Sequence, residues 1–247
     1  MTRNARKDNG NERVGRMQQT GGGGGDWRHK VHPGDISLKP FKPLNAKQTA
    51  ALESIRVNDC TFLIGPAGTA KTFLAARYAL EGLASGEFDH ILIARPAVEA
   101  GDSIGYLPGK LLDKMMPFVR PVIDNLGKSS HESRQLIKGL LELEFIEVMS
   151  FTYLRGNSFD RTLMILDEIQ NATPEQLKLG LTRAGEGSKI VVTGDPYQID
   201  LDPDIPSAVE DLDRFRNQPG IGFLEFGMAE VVRSRMTKTI LNAYGGK

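Results

Sequence analysis

The stretch that most constrains this chain is Gly65-Pro66-Ala67-Gly68-Thr69-Ala70-Lys71-Thr72. It lies between an apolar run, Thr61-Phe62-Leu63-Ile64, and a helical-looking run from Phe73 to Leu80. Strand, glycine-bearing loop and helix in that order make a P-loop, in which backbone N–H groups and the positive end of the helix face a polyphosphate. On this reading the whole run from Gly65 to Thr72 binds nucleotide: Gly65, Pro66, Ala67, Gly68, Thr69 and Ala70 form the cradle. Lys71 reaches the β- and γ-phosphates, and the Thr72 hydroxyl completes the shell of a Mg²⁺ ion. Ala70 stands where the pattern has Gly, and its methyl group restricts φ at that position.

The rest of the composition narrows the setting. With 40% hydrophobic and 25% charged residues over 247 positions, the chain is long enough to bury a sizeable core as one domain. It has no run of eighteen apolar residues and no apolar segment near its start, so neither a membrane span nor a secretory signal is expected, and a cytoplasmic location is. The lone Cys60, beside the P-loop strand, reads as a buried thiol in a reducing compartment. His29, His32, His90 and His131 have no Cys partners at zinc spacing, so no structural metal site is expected.

Formal net charge is zero but unevenly spread: residues 1–30 hold seven Lys or Arg against three acids. Gly21 to Gly25 form an unbroken glycine run. Residues 1–43 are therefore expected to be a disordered basic tail and 44–247 the folded domain. Such an arm suits phosphate backbones through counterion release, or serves as a solubilising tether, with Trp27 its one base-stacking side chain.

From Leu44 onward strands and helices alternate. A helix capped at Asn45 precedes the P-loop strand, and apolar runs at 90–94, 145–148, 163–166, 189–193 and 221–226 read as further strands. Helices are expected near 110–126, 131–141, 174–184, 207–216 and 235–244. That alternation predicts a mostly parallel, doubly wound α/β sheet with ligands at the C-terminal strand ends.

Three signals fall at those ends. Leu163-Met164-Ile165-Leu166-Asp167-Glu168 is an apolar strand ending in two carboxylates, a Walker B pattern: Asp167 holds Mg²⁺ and Glu168 polarises the attacking water. Beyond Val191-Val192-Thr193-Gly194-Asp195, Gln198 is placed to sense a γ-phosphate. In Val231-Val232-Arg233-Ser234-Arg235, Arg233 offers a guanidinium for transition-state charge.

These residues, with Arg95-Pro96-Ala97-Val98-Glu99-Ala100-Gly101, Leu107-Pro108-Gly109, Leu154-Arg155-Gly156, Asp167-Glu168-Ile169-Gln170-Asn171 and Leu181-Thr182-Arg183, resemble the PhoH family. Its members are ATPases that resemble the motor core of superfamily-one helicases. The resemblance runs over roughly 44 to 244. It implies a three-layer RecA-like P-loop NTPase fold, ATP as nucleotide, Gln48 as adenine reader, and a ring in which Arg233 reaches a neighbour's ATP. The chain departs from the family at Ala70, at Pro196-Tyr197 and at Ser234.

Superfamily-one helicases hold ATP between two RecA-like domains, and one such domain here implies a homo-oligomer, with a hexamer favoured. The leading expectation is an ATPase acting on single-stranded nucleic acid, RNA before DNA, with Arg95, Lys110, Lys114, Tyr106 and Phe118 as candidate polymer contacts. The alternatives are a nucleotide-gated assembly scaffold with little turnover and a small-molecule P-loop kinase. No nuclease activity is expected.

Overall fold

The computed structural model describes residues 32–96, 111–129 and 134–232, with 236 and 239. Six strands form one sheet: β1 (Cys60–Ile64), β2 (His90–Arg95), β3 (Ile146–Ser150), β4 (Thr162–Leu166), β5 (Lys189–Gly194) and β6 (Ile221–Glu225). Their order is β3-β2-β4-β5-β1-β6, and every neighbouring pair is parallel. Parallel strands joined by crossovers are buried on both faces, which is why β1, β2, β4 and β5 are near-continuous apolar runs.

The period of two is nevertheless legible in which layer each residue meets. Leu63, Ile91, Ile93, Leu163, Ile165 and Val191 pack into one core with α1 (Ala46–Val57), α2 (Lys71–Ser85), α3 (Leu111–Ser129) and α4 (Arg134–Glu142). Phe62, Leu92, Met164, Leu166, Ile190 and Val192 pack into the other with α5 (Pro174–Leu181) and the 3-10 segments Phe151–Leu154, Ile169–Asn171 and Ala208–Phe215. The sheet is the middle of three layers.

Local chemistry sets the helix ends. The Asn45 side chain accepts from Gln48 N at 2.9 Å and starts α1. Thr173 and Gln176 form a capping box at α5, with Pro174 at the first helical position. α5 stops at Leu181 rather than Ala184 because the chain beyond it pairs with Phe159, whose N–H donates to Arg183 O at 3.0 Å and whose carbonyl accepts from Gly185 N at 2.7 Å. The segment expected as a helix over 207–216 winds as a 3-10 helix. Its start is tied to the strand-end layer by Ser207 Oγ donating to Gln170 O at 2.7 Å and Ala208 N to Ala172 O at 2.8 Å.

The fold boundary differs from the one composition suggests. Residues 32–43 lie against α2: Ile36 is buried, Phe41 meets Phe73 edge-on at 5.3 Å, and Lys39 N donates to Ser129 O at 2.9 Å. Buried Arg77 donates to Lys39 O at 2.6 Å and Ser129 O at 3.2 Å, tying this segment to α2 and α3. Polar composition hid the anchoring apolar residues Pro33, Ile36, Leu38 and Phe41. Residues 1–31 and the terminal segment expected as a helix over 235–244, apart from 236 and 239, lie outside the described residues.

A chain starting at residue 44 is expected to be less stable than one starting at residue 32 by about 3 kcal/mol, the burial of Ile36 and Phe41. Urea denaturation followed by circular dichroism measures the difference, and equal midpoints would contradict it.

Candidate functional site

Parallel register builds the site. Ala94 is paired with Leu166 and Leu166 with Val192, so the next residues, Arg95, Asp167 and Thr193, form one row at the C-terminal strand ends. Leu63 pairs with Thr193, and β1 then leaves the sheet into the loop from Gly65. Gly65 has φ 144°, and a Cβ there would lie 2.3 Å from Phe226 O, so only glycine fits. The segment after β6 straps the loop: Phe226 N donates to Ile64 O and Val232 N to Gly68 O, both at 2.7 Å.

Ala70 has φ 71° and ψ 20°, the left-handed region, which explains why the usual residue there is Gly. It precedes α2 without a side-chain cap, so the positive end of the helix opens toward the loop. Lys71 is buried and donates from Nζ to Gly65 O at 2.6 Å and Pro66 O at 2.9 Å. Thr69 Oγ1 closes the loop onto Pro66 O at 3.0 Å.

Asp167 is where the elements converge. Its Oδ1 accepts from Thr72 Oγ1 at 3.0 Å and from Thr193 Oγ1. Its Oδ2 lies 3.0 Å from Arg95 Nε, an ion pair without an aligned hydrogen bond. Glu168 has φ 59° and ψ 44°, which turns its carboxylate out of the strand direction. Arg95 Nη2 donates to Glu168 Oε1 at 2.8 Å, and Gln170 Nε2 donates to Oε2. Gln170 Oε1 in turn accepts from Asp195 N at 3.0 Å, linking the two strand-end loops. Asp195-Pro196-Tyr197-Gln198 is a turn closed by Gln198 N to Asp195 O at 3.0 Å, with Pro at its second position.

Together these elements enclose a cavity of about 390 Å³, lined by Ala67, Gly68, Ala70, Lys71 and Thr72 from the loop and α2, and by Asp167, Glu168, Thr193, Asp195 and Gln198 from the strand ends. Asn125 and Lys128 of α3 also line it, with Phe73, Gly194 and Val232. Eight of the residues singled out in the sequence thus meet at one place: Ala67, Gly68, Ala70, Lys71, Thr72, Asp167, Glu168 and Gln198. Gln48 does not line the cavity; its Oε1 accepts from Leu44 N at 2.9 Å, and its Nε2 is buried without a hydrogen bond. Arg233, Tyr106 and Lys110 lie outside the described residues, and Lys114 and Phe118 outside the described side chains.

Arg95, expected to face a polymer, instead points at the two carboxylates. Gln170, Thr193, Asn125 and Lys128 also stand at the site, without a motif that marks them as functional. A hydroxyl just before Gly194, level with the end of the Asp167 strand, was the available signal for Thr193. Nothing in the sequence pointed to the α3 pair.

The residues fit the cation that a P-loop site takes. Asp167 Oδ2 is a buried acceptor without a hydrogen-bond donor, suited to a metal-bound water, and the Thr72 hydroxyl lies beside the other oxygen.

Fold and site define the core of a P-loop NTPase. The chain matches the family described as "PhoH-like protein" over residues 40–245. A PhoH-like protein of Synechocystis is 42% identical over 199 residues, 80% of this chain and 60% of the relative. One from Bacillus subtilis is 40% identical over 201 residues, 80% of this chain and 61% of the relative. Protein PhoH of Escherichia coli K12 is 35% identical over 206 residues, 83% and 58% respectively. The chain spans about three-fifths of the length of these relatives. Among solved structures, the large terminase of a thermophilic bacteriophage aligns with a TM-score of 0.51 at 15% identity, over 81% of this chain and 50% of that one. The chain belongs to the PhoH-like family, and its fold is RecA-like. No helix among the described residues is long and apolar enough to cross a membrane.

Ala70→Gly is expected to raise stability by about 1 kcal/mol. Relief of a left-handed alanine is worth about 1–2 kcal/mol, partly offset by the freer unfolded chain. Chemical denaturation checks this, and a loss of stability would contradict it.

Proposed function

We propose that this chain binds ATP with Mg²⁺ and hydrolyses it, working as a homo-oligomeric motor on single-stranded nucleic acid, RNA before DNA, in the cytoplasm. The observation that carries the reading is the convergence on Asp167, where the P-loop hydroxyl of Thr72 and the Thr193 hydroxyl meet one carboxylate oxygen beside Glu168. A phosphate loop joined in this way to a strand-end carboxylate pair is the arrangement that phosphoryl transfer to water requires.

In this mechanism Lys71 leaves the carbonyls of Gly65 and Pro66 for the β- and γ-phosphates, which replace two neutral acceptors with charged ones. Thr72 and Asp167 hold the metal side of the nucleotide. Magnesium, when bound, screens the charge on the transferring phosphoryl group. Glu168 orients the attacking water and accepts its proton, and Gln198 hydrogen-bonds the γ-phosphate. The buried Nε2 of Gln48 has no acceptor of its own, which supports its reading as a base contact for the adenine. Oligomerisation is supported by exposure: the Glu168 side chain is 39% exposed, so excluding water during turnover calls for a second surface. A neighbouring copy would supply it together with Arg233, in a hexameric ring. The basic residues within 1–30 support a nucleic-acid partner.

A second reading has its own observation. Ala70 holds a left-handed φ at the mouth of α2, a strain that favours a loop with slow turnover, as in a nucleotide-gated scaffold. A phosphorylated acceptor molecule appearing with ADP would instead point to a kinase.

Steady-state ATP hydrolysis with and without single-stranded RNA and DNA tests the proposal. Hydrolysis is expected to rise with RNA and to fall by about a hundredfold or more in Glu168→Gln, while Lys71→Ala loses nucleotide binding. ATP bound but never hydrolysed would transfer the reading to the scaffold. Mass measurement in solution with ATP is expected to show a species of several chains, and a monomer at all concentrations would exclude the ring.

A further inference from the structure

Arg95 ends β2 with 14% of its side chain exposed, and its guanidinium spans both strand-end carboxylates. Nε lies 3.0 Å from Asp167 Oδ2, and Nη2 lies 2.8 Å from Glu168 Oε1. The placement follows from register, because Ala94 pairs with Leu166 and the next residue on each strand falls level with the other. Nη2 orients the Glu168 carboxylate by a charge-assisted hydrogen bond, while the charge of the same planar group stands against Asp167 and partly neutralises both acids. Among the described residues, Thr72, Thr193 and Gln170 also hydrogen-bond this pair, and all three are neutral. Two adjacent carboxylates at a cavity would hold a dication by themselves; a guanidinium against them opposes that.

We infer that Arg95 is a positioning residue and a resident counter-ion of the Asp167–Glu168 pair. It aims the Glu168 carboxylate and competes with a divalent cation for the field of Asp167. Metal alone is held weakly, whereas metal arriving on a polyphosphate brings enough negative charge to outweigh one guanidinium. The site therefore charges with metal and nucleotide together. This inference rests on the reading of Asp167 as the metal end of the nucleotide site.

The test uses Mn²⁺ as a paramagnetic probe, titrated into the full chain without nucleotide and followed by the electron paramagnetic resonance signal of the free ion. Arg95→Met and Arg95→Gln are expected to bind Mn²⁺ at least about tenfold more tightly than the unmodified protein, as loss of a like charge a few ångströms away requires. Arg95→Lys keeps the charge and is expected to bind as weakly as the unmodified protein. Adding Asp167→Asn to Arg95→Met is expected to abolish the gain. ADP binding to each variant serves as the check that the P-loop is folded. Unchanged Mn²⁺ affinity in Met and Gln variants that still bind ADP would overturn the inference, as would tight binding by the Lys variant or a gain that survives Asp167→Asn. The readout needs no turnover. Absent hydrolysis with a clear Mn²⁺ gain would remove the motor and leave Arg95 in its role, whereas hydrolysis without the gain would do the reverse.

Discussion

The site hangs on one buried carboxylate. Asp167 receives the first turn of α2 through Thr72, the end of β5 through Thr193 and the end of β2 through Arg95. Three strands and one helix are held level by a group that is almost wholly removed from water. A carboxylate in that position is tolerated only because each oxygen has a polar or charged neighbour. These elements thus share the two oxygens of one carboxyl group. Glu168, the next residue, is joined in turn through Gln170 to the start of the turn that carries Gln198.

Much of this arrangement was legible in the amino-acid sequence. The P-loop spacing located Lys71 and Thr72, and the apolar strand ending in two acids located Asp167 and Glu168, because a parallel sheet sends all its C-terminal ends to one edge. What escaped were contacts that depend on register between strands distant in sequence. Arg95 and Asp167 become neighbours only once β2 is paired with β4. The role of Gln170 is set by a 3-10 turn that no hydrophobic period announces. Residues 32–43 were hidden for a different reason: a few apolar side chains in a polar stretch suffice to dock a segment when a buried arginine receives its carbonyls.

Two non-glycine residues at the cavity hold left-handed backbone, Ala70 and Glu168. Each conformation costs on the order of 1–2 kcal/mol and persists only where surroundings impose it. At Glu168 the imposing contacts are visible: Arg95 and Gln170 grip its two oxygens. At Ala70 they are the closure of the loop by Thr69 and the strap from Val232. The strain lies on both walls of the same cavity, one at the start of a helix and one at the end of a strand.

The place of β1 in the sheet has a consequence for how the chain is made. Cys60 pairs with Ile190 on one side and with Ile221 on the other, so both neighbours of the P-loop strand lie far downstream. As the polypeptide leaves the ribosome, β2, β3 and β4 can associate early, while β1 waits with both backbone edges unsatisfied until β5 arrives. Closing so long a loop is slow relative to local pairing. On this topology the loop that follows β1 is expected to be among the last parts of the sheet to assemble.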